Sequence, residues 1–278
     1  MVPDILGKER MIDGLLLESF ITGFARIIAP AMAGALIARY GAIGCYIGMA
    51  ILSVCALTIM LPLLRSAEPH DPKPFRMTSL PVVSEGMRYV RSNQPILAVV
   101  LITLVLNLWI FPYISLLPVF IRDVLHKGPI ELGFLSTGTG LGSFLGLITI
   151  NVLRQRVNVG TLFAVGTGWL CVALAVFAFS QVYSLSWAML FCAGMGMACF
   201  STLQSTIVLL STSDEMRSRV MGIVVLAIGG DPLGQLQIGT LAEQFGVQMT
   251  LAGQASMALL AVALIVLLLP GVLRPQAA

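Results

Sequence analysis

The sequence predicts an all-α protein that crosses a membrane eight times. Eight long apolar runs cover most of the 278 residues. Each is long enough to cross a hydrocarbon core as a helix, for which about 20 residues suffice. Hydrophobic residues make up 58% of the chain and charged residues only 10%, whereas soluble domains carry about 25% charged residues. A soluble enzyme is therefore not expected, and no ten-residue stretch shows the apolar and polar alternation of membrane strands.

Short connections separate most of the predicted spans. The first span follows a polar stretch, residues 1–12, which is not a cleavable signal because the apolar run after it is too long for a signal core. In chain order the spans are residues 13–38, 42–64, 96–121, 130–153, 159–180, 184–211, 220–242 and 247–270.

The longest connection, residues 65–95, predicts a linker that ends in a surface helix. It holds Pro69, Pro72, Pro74 and Pro81, followed by the moderately amphipathic residues 82–90. The chain thus divides into a two-helix part (1–64), the linker (65–95) and a six-helix part (96–278).

The distribution of basic residues predicts the orientation. If the N-terminus is cytoplasmic, twelve Lys and Arg residues lie on the cytoplasmic side and three lie outside. This asymmetry indicates a multi-pass protein of the bacterial inner (plasma) membrane with both termini in the cytoplasm. The basic residues lie in separate short connections rather than along one amphipathic element, so nucleic acid is not an expected partner.

The five cysteines indicate neither disulfides nor zinc. All five lie inside apolar runs, with no CxxC spacing and no histidine at ligand spacing. No metal and no cofactor are therefore expected.

An internal repeat relates the first two spans to the last two. A shift of 205 residues places Gly34 on Gly239, Tyr40-Gly41 on Phe245-Gly246, and Gly48 on Gly253. The four spans between residues 96 and 211 have no counterpart in this chain. The repeat therefore predicts about four further helices before Met1, in a parent of six plus six helices; chance similarity of Gly/Ala-rich helices is the alternative.

Two repeat-related spans contain matching breaks and ionisable residues. Pro30 leaves the carbonyl of Arg26 without its helical partner, and Gly229-Gly230-Asp231-Pro232 interrupts the seventh span at a matching depth. Paired interruptions of this kind indicate a transport pathway. Charges inside a bilayer face a partner or a wet cavity, so Arg26 and Asp231 are candidates for substrate or coupling sites. The alternatives are a structural ion pair or a side chain that snorkels to the level of the lipid headgroups. Glu18 lies two turns before Arg26, and a structural role is the favoured interpretation for it.

Several stretches resemble the major facilitator superfamily, in particular the bacterial exporter branch that includes the enterobactin exporter and macrolide-efflux permeases. The most specific stretches are residues 107–125, 214–222 and 232–246. Residues 26–34, which end at Gly34, resemble the exporter motif in the fifth helix of that family, with Ala29 where glycine is usual. Residues 146–156 resemble its cytoplasmic loop motif but lack the Gly-Asp pair.

The resemblance implies further site residues. Asn107 and Gln204 lie in helices that line the central cavity in the family. Pro30, Gly34, Gly229, Gly230 and Pro232 are candidates for helix breaks or gating, and Arg154, Arg156, Arg217 and Arg219 for cytoplasmic loop contacts. By contrast, Gly138, Gly142 and Gly146 form overlapping GxxxG steps and indicate close helix packing.

We therefore expect a secondary active transporter that exports a drug-like or siderophore-like solute, with protons as the coupling ion that the resemblance implies. The lipid bilayer, a small-molecule solute and a missing N-terminal half are the expected partners. A truncated, transport-inactive membrane remnant or scaffold is the alternative. An intramembrane enzyme lacks candidate catalytic groups.

Overall fold

Helices form nearly all of the structure. The computed structural model describes residues 11–66 and 80–273, and these residues contain no strand. The predicted all-α membrane fold is therefore confirmed. In chain order the helices are α1 (Met11–Ser66), α2 (Leu80–Ser92), α3 (Gln94–Val105), a π-helical segment (Leu106–Ile110), α4 (Tyr113–Asp123), α5 (Pro129–Leu153), α6 (Val159–Ala178), α7 (Tyr183–Ser211), α8 (Asp214–Ile228), α9 (Asp231–Phe245), α10 (Val247–Leu268) and a closing 3₁₀ turn (Pro270–Leu273).

Helix α1 is a hairpin of two helical arms that meet at Gly41. Gly41 has φ 69° and ψ −175°, which is the only non-helical backbone conformation within α1. A methyl group on Gly48 would lie 3.7 Å from Leu36 Cδ1, although twelve residues of continuous helix would separate these positions by about 18 Å. The chain therefore reverses at Gly41, where glycine tolerates the positive φ.

The hairpin explains the number of membrane crossings. Seven stretches of the described chain are long and apolar enough to cross a membrane, and the first of them runs from Gly23 to Leu61. Because this first stretch folds back at Gly41, the described chain contains eight apolar helical segments of this kind, in agreement with the eight spans predicted from the sequence.

Two of the predicted spans are interrupted near their middle. The third predicted span is divided into α3, the π-helical segment and α4, with a turn at Phe111 and Pro112. The seventh is divided into α8 and α9, with Gly229 and Gly230 between the two helices and Pro232 in the first turn of α9. A gating role for these three residues stays a prediction. The irregularity in the third span was not predicted from the sequence.

Successive helices run up and down, so that their connections alternate between two ends of the bundle. At one end Asp123, Phe179 and Gly246 line a common cavity. At the other end Asn93 donates a hydrogen bond from Nδ2 to the carbonyl oxygen of Ser211 (3.1 Å). We call the first the Gly246 end and the second the Asn93 end. The positive-inside prediction places the Asn93 end in the cytoplasm.

Glycine determines how closely α5 and α7 pack. Methyl groups on Gly138 and Gly146 would lie 3.1 Å and 2.8 Å from the carbonyl oxygens of Trp187 and Met195, and one on Gly142 would collide with the carbonyl of Phe191. In each of these three contacts the residue of α7 lies 49 positions after the glycine of α5. The numbering therefore rises in the same direction along both helices, and α5 and α7 run parallel. The packing role predicted for the GxxxG steps is confirmed.

Candidate functional site

The interrupted helices meet each other about halfway along their length. Gly234, in the first turn of α9, packs on the irregular segment between α3 and α4. A methyl group there would lie 2.5 Å from the carbonyl oxygen of Leu108 and 2.9 Å from that of Asn107. Only a residue without a side chain permits this approach. The break that begins α9 is therefore seated on the π-helical segment, and we call this contact the junction.

Asp231 lies half-buried at the junction and is the only carboxylate among the described residues of α8 to α10 that lies near a helix break. Gln235, one turn further along α9, donates from Nε2 to both carboxylate oxygens of Asp231 at 3.4 Å. The hydroxyl group of Ser115 in α4 donates to Oε1 of the same amide. These three side chains form a continuous hydrogen-bonded chain from α9 to α4, which we call the Asp231 chain.

A second polar contact joins α3 to α7. Thr103 is fully buried, and its hydroxyl group accepts a hydrogen bond from Nε2 of Gln204 while donating to the carbonyl oxygen of Val99 (2.7 Å). Asn107 donates from Nδ2 to the carbonyl oxygen of Thr103 (2.8 Å). Asn107 and Gln204, 5% and 6% exposed, are thus brought together through Thr103. The amide nitrogens of both residues donate to groups of the protein.

Arg26 is exposed on the first arm of α1. Among the described residues no ion pair joins Arg26 to Asp231, so the structural ion pair considered as an alternative does not form between these two residues. Glu18 belongs to the same arm, but its side chain lies outside the part that the structure describes.

Pro30 and Gly34 do not break their helix, contrary to the prediction. The first arm of α1 continues as a helix through both residues. The carbonyl oxygen of Arg26 instead faces α5, where a methyl group on Gly140 would lie 2.8 Å from it. Pro30 fits in this helix because its ring fixes φ at a helical value.

The same two residues create a close contact with α5. A methyl group on Gly133 would lie 2.5 Å from the carbonyl oxygen of Pro30, and one on Gly34 would lie 3.0 Å from Gly133 Cα. Since the numbering rises along α1 as it falls along α5, the two helices are antiparallel. The predicted gating residues Pro30 and Gly34 therefore belong to a helix interface.

The loop arginines all lie at the Asn93 end. Arg154 and Arg156 are exposed after α5, and Arg217 is exposed on α8. Arg219 forms an ion pair with Glu85 of α2, with 2.6 Å between Nη1 and Oε1. The structure thus connects Arg219 with the linker helix, a contact that the sequence did not indicate.

Two other features bear on possible ligands. A cavity of about 570 Å³ lies at the Gly246 end, with Asp123 and Glu243 in its lining. Among the described residues, no group of three or more His, Cys, Asp or Glu side chains is arranged to hold a metal ion.

Comparison with known proteins identifies a family. The model of a family described as "Transmembrane secretion effector" matches residues 1–274. The chain is 22% identical over 250 residues to the staphyloferrin A transporter of Staphylococcus aureus, covering 90% of this chain and 62% of the relative. It is 24% identical over 277 residues to the enterobactin exporter EntS of Salmonella choleraesuis, covering 98% and 64%. The chain thus spans less than two thirds of the length of these relatives.

A solved structure shares the fold. It is the inward-facing, unoccupied structure of a bacterial homologue of the human lysosomal transporter Spinster. The TM-score is 0.66 at 13% sequence identity, and the match covers 98% of this chain and 72% of that one. At this identity the likeness concerns the arrangement of helices alone.

Proposed function

Because the chain belongs to the transmembrane secretion effector family of the major facilitator superfamily, we propose that it forms part of a secondary transporter of the bacterial inner membrane that exports a siderophore-like or drug-like solute in exchange for protons. The family consists of transporters rather than enzymes, in agreement with the expectation from the sequence. Solute class, direction and coupling ion belong to the proposal.

The junction is the observation that carries this proposal. Transporters commonly place their substrate or coupling-ion site where interrupted helices meet near the bilayer midplane. Here two interrupted helices meet through Gly234, and Asp231 lies at the break. A carboxylate at this depth is costly unless it serves a function or has a partner. Its partner is the neutral amide of Gln235, and no cation among the described residues forms an ion pair with it.

Arg26 and the pair Asn107 and Gln204 have different proposed roles. The exposed guanidinium of Arg26, repeat-related to Asp231, is proposed to contact an anionic group of the solute, since its planar fork suits carboxylates and phosphates. Gln204 is proposed to hold α7 against α3 near the junction through its bond to Thr103. Asn107 is proposed to stabilise the adjoining π-helical segment through its bond to the carbonyl oxygen of Thr103. Glu18 is retained as a candidate on the first arm.

Efflux measured against an imposed pH gradient tests the role of Asp231. We expect Asp231→Asn to insert and fold normally while its efflux no longer depends on pH, because the amide has the size of the carboxylate but binds no proton. Glu243→Gln is the matched control, since Glu243 is an exposed carboxylate on the same helix, and it should keep the pH dependence. Efflux that still depends on pH in the Asp231→Asn variant would contradict proton coupling at this residue.

The remnant alternative is tested with the coding sequence immediately upstream of Met1. The internal repeat predicts an in-frame continuation with four apolar spans, and the efflux assay should then use that longer frame. The chain by itself should give no more efflux than an empty vector, because alternating access needs two complete bundles. A stop codon or unrelated sequence upstream, together with no efflux, would favour the inactive scaffold.

A further inference from the structure

The linker helix α2 directly precedes a long apolar helix of the bundle. It ends at Ser92, and Gln94 begins the apolar helix α3. Asn93 fixes the connection between α2 and α3. Its Oδ1 accepts a hydrogen bond from the backbone amide of Ile96 (3.4 Å), and its Nδ2 donates to the carbonyl oxygen of Ser211. Helix α2 is therefore held at the membrane boundary, at the Asn93 end.

The apolar side of α2 is already occupied by protein. Val90 is fully buried, and a methyl group on Gly86 would lie 3.0 Å from Ile223 Cδ1. The backbone amide of Ser213 donates to the hydroxyl oxygen of Tyr89 (3.4 Å). Because α8 covers this side, α2 does not insert its apolar face into lipid as a free amphipathic helix would.

The opposite side of α2 presents two arginines. Arg88 and Arg91, three residues apart, are both exposed, and neither makes an ion pair with another described residue. Glu85, the acidic residue of α2, is paired with Arg219 at 2.6 Å. The exposed side of α2 therefore carries two positive charges that α2 itself does not neutralise.

The surroundings have the same sign of charge. At the Asn93 end the described acidic side chains are Glu85 and Glu215, whereas the described basic side chains are Arg88, Arg91, Arg154, Arg156, Arg217 and Arg219. Clusters of basic residues next to a transmembrane helix attract anionic lipid headgroups. One guanidinium group can donate two parallel hydrogen bonds to two oxygens of a phosphate group.

We propose that Arg88 and Arg91 form a binding surface for the headgroup of an anionic phospholipid, and that α2, held in place by α8, presents them to it. The match of charge and the position at the boundary favour a lipid over a soluble anion. Each arginine near a charged membrane surface contributes about a fivefold preference for anionic lipid. This inference does not depend on the proposed transport activity.

The test is native mass spectrometry of the purified chain in mixed micelles with equal amounts of phosphatidylglycerol and phosphatidylcholine of identical acyl chains. We expect the chain to retain phosphatidylglycerol preferentially. Arg88→Gln with Arg91→Gln should reduce that preference about 25-fold, and each single change about fivefold. Arg88→Lys with Arg91→Lys should keep most of it, because the charge remains. The matched control, Arg39→Gln with Lys127→Gln, alters two exposed basic residues at the Gly246 end and should have no effect.

Two results would overturn the proposal. One is an unchanged lipid preference in the double glutamine variant. The other is displacement of phosphatidylglycerol by millimolar inorganic phosphate, which would show a site for the free anion. If the double glutamine variant does not fold, as judged by circular dichroism, the two single variants and the lysine variant decide the matter by the same measurement.

Discussion

Gly41 and Gly246 adopt closely similar backbone conformations at positions 205 residues apart. Gly41 has φ 69° and Gly246 has φ 80°, and they are the only glycines with positive φ among the described residues. Each reverses the chain between two membrane-crossing helices, and each is preceded by an aromatic residue, Tyr40 or Phe245. This agreement supports the internal repeat, since chance similarity of Gly-rich helices would not place both reversals at matched positions.

The repeat provides a matched pair of glycines for testing the α1–α5 interface. Gly34 packs against Gly133, whereas Gly239, its repeat partner, has nothing within 4 Å of an added methyl group. We expect Gly34→Val to lower the free energy of unfolding by about 2 kcal/mol through overpacking, and Gly239→Val to change it by less than about 0.5 kcal/mol. Thermal unfolding of the chain in detergent measures both. Equal destabilisation by the two changes would contradict the close contact at Gly34.

Thr103 should stabilise the packing of α3 on α7. Thr103→Val keeps the volume but removes the acceptor for the buried amide of Gln204, and we expect a loss of about 1 kcal/mol in stability. Thr58→Val is the control, because Thr58 is exposed and bonds only to carbonyl groups of its own helix. Denaturant or thermal unfolding in detergent should separate the two variants. If they unfold alike, the Gln204–Thr103 bond contributes nothing.

Ser115 should affect transport without touching Asp231. Its hydroxyl group holds the amide of Gln235, which in turn donates to the carboxylate. If the Asp231 chain is part of the coupling site, Ser115→Ala should alter the pH profile of efflux, and Gln235→Leu should reduce the efflux rate about tenfold or more, since a bond to a charged group is lost. Thr240→Ala, which removes an exposed hydroxyl group bonded within α9, should leave the profile unchanged. If Ser115→Ala and Gln235→Leu both show normal efflux and an unaltered pH profile, Ser115 and Gln235 have no part in coupling.

The orientation is tested by labelling single cysteines at the ends of α1 and α8. With the five native cysteines replaced, Ser66→Cys and Ser213→Cys should react with a membrane-impermeant maleimide only in permeabilised cells, because the positive-inside rule predicts that these ends lie in the cytoplasm. Arg39→Cys, next to the reversal at Gly41, should react in intact cells. Labelling of Ser66→Cys or Ser213→Cys from outside would contradict the predicted topology.

Much of the fold follows from local sequence. The lengths of the apolar runs specify the crossings, because hydrocarbon satisfies no backbone polar groups and a helix satisfies its own. Glycine spacing in α5 indicated close packing, and Gly229-Gly230-Asp231-Pro232 indicated the division between α8 and α9. These features depend on residues that are neighbours in the chain, so a single sequence contains them.

The tertiary structure alone shows which distant residues meet. Four contacts join separate helices and were not visible in the sequence. They are the packing of Gly234 on the π-helical segment, the bond of Ser115 to Gln235, the bond of Gln204 to Thr103, and the ion pair of Arg219 with Glu85. The sequence also predicted a break at Pro30, whereas the first arm of α1 continues as a helix through this residue and packs closely on Gly133 and Gly140 of α5. Helical periodicity describes which face a residue occupies, but the rotation and register of two packed helices depend on all the side chains between them.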